Sequence, residues 1–126
     1  MVSLDDLVAS DDQTPDSELA ATLHGQITLI EGRDAVRLIG AMKDASARKK
    51  LVAAGLARHV MLRKGWIKET GLGAPTEWYS IQVQQKPKSV GEELSRLKKV
   101  ALIERDDTGW RVPLWALRDA LDFLSK

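Results

Sequence analysis

Between residues 33 and 68 the sequence places ten cations, Arg33, Arg37, Lys43, Arg48, Lys49, Lys50, Arg58, Arg63, Lys64 and Lys68, against only Asp34 and Asp44. A block this basic raises local affinity for anions, and phosphate backbones are the commonest target. Lysine anchors phosphates as a point charge, whereas arginine can also read guanine through two parallel hydrogen bonds. The plainer alternative is that these cations are the solvated faces of helices. Other chemistries find little support. There is no cysteine and there are only two histidines, His24 and His59, so disulfides, thiol catalysis and the usual zinc spacings are excluded. No glycine loop with a phosphate-binding lysine occurs, no nucleophile has a recognisable base, and no spacing sets two carboxylates around a cleft. The chain reads as a non-enzyme with neither cofactor nor metal.

The remaining charge is segregated. Residues 1–32 hold seven carboxylates and no Lys or Arg, and residues 69–126 hold nine of each sign, so the formal net charge of +1 conceals an acidic start and a basic middle. Residues 1–17, rich in Asp and Ser with Pro15, are expected to form a flexible acidic arm. That arm either masks the basic block or recruits a protein partner. The other 109 positions, 18–126, suit one domain. No apolar run approaches the roughly 20 residues of a membrane span. Met1-Val2-Ser3-Leu4-Asp5-Asp6 is no secretory signal, and the expected location is the cytoplasm.

The elements that must position the cations follow from periodicity. Ser17–Leu23 reads as a short helix capped by Asp16 or Ser17 and ended by Gly25, with Leu19 and Leu23 on one face. Gln26–Ile30 alternates like a strand, and Glu31-Gly32 is the turn out of it. Residues 33–44 carry the stripe of a first helix. Ser46 is an N-cap for a second, Ala47–Ala54, which Gly55 stops. Leu56–Lys64 is a third, with Leu56, Val60 and Met61 inward and Arg58, His59, Arg63 and Lys64 outward. Trp66-Ile67 and Glu77–Val83 are rich in strand formers, and they flank the glycine loop Gly71-Leu72-Gly73-Ala74-Pro75. The tryptophans are read mainly as core, with stacking on single strands as the alternative.

Met61-Leu62-Arg63-Lys64-Gly65-Trp66-Ile67-Lys68-Glu69, followed by that loop and Thr76-Glu77-Trp78-Tyr79, resembles the recognition helix and wing of the winged helix-turn-helix DNA-binding superfamily. Leu51, Gly55 and Met61 match the spacing of its turn, while Lys50 and Lys64 stand where apolar residues are common. The resemblance covers roughly residues 33–83. A poorer copy follows, because Gly91–Arg105 aligns without gaps on Gly55–Glu69. Leu97 then matches Met61, Ala101 matches Gly65, and Asp106-Asp107-Thr108-Gly109 forms a tight turn. The fold expected is α+β, mainly helical: a winged helix-turn-helix with a C-terminal helix, in which 33–83 and 89–112 are two tandem helix-wing half-units. Either can be the principal one, and the charge excess favours the first as reader.

The resemblance implies a sequence-specific double-stranded DNA-binding protein, a transcriptional regulator such as a repressor. Arg58, His59 and Arg63 would face base edges, and Arg48, Lys49, Lys50, Lys64 and Lys68 would lie near phosphates. Gly71, Gly73 and Thr76 would form the wing tip. Residues 113–125 read as a helix in which Leu114, Leu117, Leu121 and Leu124 either pair two copies into a homodimer or pack on their own domain. The competing function is a winged-helix adaptor that binds protein rather than DNA.

Overall fold

A computed structural model describes residues 14–126, so the expectation of an acidic arm lies, for residues 1–13, outside the described part of the chain. Helix α1 (Asp16–Leu23) buries Leu19 and Leu23, as their i, i+4 spacing requires. Its cap differs from expectation: extended Pro15 occupies the N-cap and no side chain caps the helix, because the fixed proline φ already directs the chain into the first turn. Strand β1 (Ile27–Leu29) follows and pairs antiparallel with β2 (Val36–Leu38) in the register Ile27↔Leu38 and Leu29↔Val36. The first helix expected over 33–44 is therefore replaced by β2 and a 3-10 turn at Gly40–Asp44. Val36 and Leu38 face inward and Arg37 outward, so the segment carries period-2 alternation as well as a helical stripe. Pairing with β1 selects the strand.

Ser46 caps the next helix as expected, its Oγ accepting the Lys49 backbone N–H at 3.3 Å. This helix, α2 (Ala47–Arg63), does not stop at Gly55 but runs straight through it, so the expected helix-turn-helix over 47–64 does not form. Every residue from Leu51 to His59 is buried, which makes α2 the central element. It contacts β1, β2 and all three later helices. Gly55 serves contact rather than termination: a Cβ there would lie 2.8 Å from Val112 Cγ2.

The hairpin expected from Trp66 to Val83 also gives way. After a 3-10 turn at Glu69–Gly71, residues Thr76–Val83 form helix α3. As a helix the segment sets Tyr79, Ser80 and Val83 into the interior, against α2 and α4 (Pro87–Lys99). Tyr79 is fully buried, and its hydroxyl donates to the Trp110 carbonyl at 2.9 Å. Burying an aromatic body with its polar tip satisfied outweighs a β preference that spans only about 1 kcal/mol.

The second unit forms largely as read. Helix α4 buries Val90, Leu94 and Leu97, then β3 (Glu104–Asp106) and β4 (Gly109–Arg111) pair around the Asp107-Thr108 turn. Asp106 Oδ1 accepts the Thr108 N–H at 2.8 Å and holds that turn. Ala74 bridges Trp110 antiparallel through N–H···O distances of 3.0 and 2.8 Å, tying the segment before α3 to the return strand. The 36-residue repeat has a structural meaning. Both copies are one helix ending, with Gly65 and Ala101 left-handed at φ 76° and 62°. Trp66 N–H donates to Met61 O at 2.9 Å and Leu102 N–H to Leu97 O at 3.1 Å, the six-residue closure of such ends. After Gly65 the chain makes a 3-10 turn, and after Ala101 it makes the hairpin.

A last 3-10 turn (Leu114–Ala116) leads into α5 (Leu117–Ser125), which starts four residues later than its proline suggested. Leu117, Leu121 and Leu124 are buried within their own chain and Leu114 packs half-buried beside them, so the stripe read as a dimer seam is core. Its spacing is the same for either use, and contact with α2 and α1 decides between them. The architecture is α+β and mainly helical, with two small antiparallel hairpins. No helix among the described residues is long and apolar enough to cross a membrane.

Candidate functional site

The seven cations and the histidine singled out in the sequence do not share a face. Arg58 lies on the inner side of α2, only 4% exposed. Its Nε donates to the Leu72 carbonyl at 2.7 Å, one Nη to the Gly71 carbonyl and the other to Asp34 at 2.5 Å, and its guanidinium lies 4.6 Å from the Trp78 ring centroid. Each of its three side-chain nitrogens has a partner. Arg58 is a clamp that fixes the Gly71–Leu72 segment to α2, and the expectation that it reads bases is corrected by its burial.

His59 is likewise buried, at 1% exposure, with Nε2–H donating to the Val112 carbonyl. Burial holds its pKa at about 4, below the ordinary 6.5, against the raising effect of that carbonyl bond; the charges of Arg63 and Arg111 add to the lowering. The ring is neutral at pH 7 and reaches no solvent. Both residues were expected outward because the eleven apolar or small positions of α2 do not by themselves fix how many of its sides are covered.

The others remain nearer the surface with varied partners. Arg48 pairs with Glu93 of α4 at 2.7 Å, Lys49 Nζ donates to the terminal Lys126 carbonyl, and Arg63 pairs with Asp16 of α1 at 2.7 Å. Lys50 is half-buried, while Lys64 and Lys68 are exposed beyond the end of α2. The positions expected at a wing tip are engaged within the fold, Gly73 buried and Gly71 and Thr76 half-buried. Gly71 gives its carbonyl to Arg58, Gly73 is buried beneath Thr108, and the Thr76 hydroxyl accepts from Trp110 Nε1 at 3.1 Å. With 76–83 helical there is no first hairpin for them to cap.

A different surface gathers cations in a regular way. Helix α4 turns Val90, Leu94 and Leu97 inward and leaves Lys88, Ser89, Glu92, Ser95, Arg96 and Lys99 exposed on its other side. Lys86, at its N-cap, and Lys98 are exposed too. Residues 86–99 thus carry five cations against Glu92 and Glu93, and Glu93 is held between Arg48 and Arg96. The Arg48 hydrogen bond chiefly, with the Arg96 charge, keeps the Glu93 carboxyl below its usual range despite slight desolvation. In the adjoining hairpin, Arg105 lies 5.2 Å over the buried Trp110 ring and Arg111 pairs with Glu104 at 2.7 Å. The Thr108 hydroxyl above all holds Asp106 in its charged form. The cations of α4 went unselected in the sequence because chain-wide charge balances after residue 69. The signal that pointed to them was the repeat beginning at Gly91.

In outline, α3 ends on left-handed Gln84, three residues separate it from α4, and the β3–β4 hairpin follows and bridges back to Ala74. Comparison with family models, with curated proteins and with solved structures finds no match to this chain.

Proposed function

We propose that residues 47–112 constitute a winged helix-turn-helix that binds double-stranded DNA sequence-specifically, as a transcriptional regulator, with α4 as the reading helix and β3–β4 as the wing. The observation that carries this reading is the element order: a long helix, a single bridging residue, two helices joined by a three-residue turn, then a hairpin whose return strand pairs with the bridging residue. The cations on the outer side of α4 support it. Lys88 and Lys99 are set to approach base edges or flanking phosphates, and Lys86 and Lys98 lie beside them, while Arg96 is held by Glu93. The second hairpin, rather than the glycine loop at 71–75, supplies the wing.

A second reading, a protein-binding adaptor, has its own support. Glu92 lies in the middle of the exposed side of α4, and Asp106-Asp107 stand at the hairpin tip, where they would repel a phosphate backbone. The discriminating experiment is selection of bound fragments from random duplex DNA, followed by titration at two salt concentrations with wild type, Lys88→Ala and Lys99→Ala. DNA binding predicts an affinity that falls steeply with salt, with the logarithmic slope reduced by about 0.9 for each phosphate contact removed. Absence of salt-dependent binding, or variants that bind like wild type, would favour the adaptor.

A further inference from the structure

Most arginines of the described chain are neutralised in place: Arg48, Arg58, Arg63, Arg96, Arg111 and Arg118 each pair with a carboxylate. Arg37, Lys43 and Lys50 have no ion pair among the described residues, and they surround one concavity of about 520 Å³. It lies between the β1–β2 hairpin, the 3-10 turn after it, α2 and the end of α3. No described carboxylate lines it. Its other character is apolar. Ile30 and Ile81, 41% and 71% exposed, stand on it and are two of the four large apolar side chains left exposed in the described chain. The walls are tied together, since Gln82 Oε1 accepts the Val36 backbone N–H at 2.9 Å and locks α3 to β2.

We infer that this concavity docks an acidic amphipathic peptide segment of a partner protein, its carboxylates meeting Arg37, Lys43 and Lys50 and its apolar side chains covering Ile30 and Ile81. Like charges gathered around one hollow repel each other, and carboxylates relieve that repulsion. A phosphodiester strand would use the cations and leave both isoleucines in water. An acidic amphipathic segment uses both features, which is why peptide is favoured over nucleic acid. The inference goes beyond the DNA reading and does not depend on it.

The test uses the full chain and a fluorescein-labelled 12-residue peptide alternating Leu-Leu with Asp-Asp, followed by anisotropy at two salt concentrations. Saturable binding is expected, weakened by salt. Ile81→Ser should weaken it about tenfold through lost apolar burial. The triple change Arg37→Ala, Lys43→Ala, Lys50→Ala should weaken it by a similar factor, about tenfold, with far-UV circular dichroism unchanged because Arg37 and Lys43 are exposed and Lys50 is only half-buried, with none of the three in an ion pair among the described residues. Three results would each overturn the inference. One is unaltered binding in either variant. Another is equal binding by a peptide whose leucines are replaced by serine, which would reduce the site to charge. The last is duplex DNA that displaces the peptide and is itself weakened by Ile81→Ser. Loss of salt-dependent DNA binding in α4 variants leaves these outcomes unchanged, so the two proposals fail separately.

Discussion

Replacing Arg58 by alanine separates a structural clamp from a DNA-reading residue. The substitution removes three charge-assisted hydrogen bonds, to the Leu72 carbonyl, the Gly71 carbonyl and Asp34, and the cation over Trp78. Hydrogen bonds to charged groups contribute about 1.5–3 kcal/mol each, and breaking a buried pair typically costs about 3–5 kcal/mol. Asp34 is half exposed, so its charge returns to water and its share is discounted. The Leu72 carbonyl has no such route, because Leu72 is buried. The expected loss is therefore about 3 kcal/mol, a large part of the stability of a domain this size, with Tm lowered by roughly 10 °C. Urea unfolding followed by circular dichroism measures it. Arg58→Lys should fall between the two, because lysine keeps the charge but not the fork that serves two carbonyls and a carboxylate together. Unchanged unfolding midpoints in Arg58→Ala, accompanied by a fall in DNA affinity, would refute the clamp and restore Arg58 as a contact residue.

Three other outcomes follow from the geometry. His59 is neutral in the fold with its pKa lowered to about 4, so the unfolded chain takes up the proton first as pH falls; its contribution is complete above the ordinary 6.5 and is lost between there and about 4. Urea midpoints should drop from pH 7.5 to pH 5, by about 2 kcal/mol or less in stability over that range, and His59→Gln should flatten the dependence. Ala101 adopts a left-handed conformation at φ 62° in the place that Gly65 fills in the first copy of the helix ending. Ala101→Gly should raise stability by about 1 kcal/mol, read as a higher midpoint with the same urea dependence, and a lower midpoint would show the strain to be absent. Gly55→Ala gains helix propensity but drives a methyl onto Val112 Cγ2, giving a net loss of about 1–2 kcal/mol. Adding Val112→Ala should make the Gly55→Ala step favourable, and additive losses in a double-mutant cycle would exclude the contact.

How far the sequence could be read varied with the range of the forces involved. The α1 stripe, the Ser46 cap, strand β1, the Asp106–Gly109 hairpin and the α5 leucines were legible because each is decided within a few residues by caps, turn chemistry or spacing. The 36-residue repeat was real, yet what it marked was a helix ending rather than a wing. Such an ending is closed by two backbone bonds and a left-handed residue, and nothing in it dictates whether a turn or a strand comes next.

The sequence by itself determined a basic middle segment, a mainly helical α+β chain and the local signals that begin and end most of its elements. Only the tertiary structure decided that Gly55 is a contact with Val112 rather than a stop, and that Thr76–Val83 coils so that Tyr79 can reach the Trp110 carbonyl. It also decided which charges face water: Arg58 and His59 turn inward, while the cations of α4 remain outside. The physical reason is that caps and turns are settled by neighbours in sequence. Burial depends on how many distant elements converge on one helix, and α2 is covered by β1, β2, the 3-10 turn at Gly40–Asp44 and the three later helices, none of which its own sequence names.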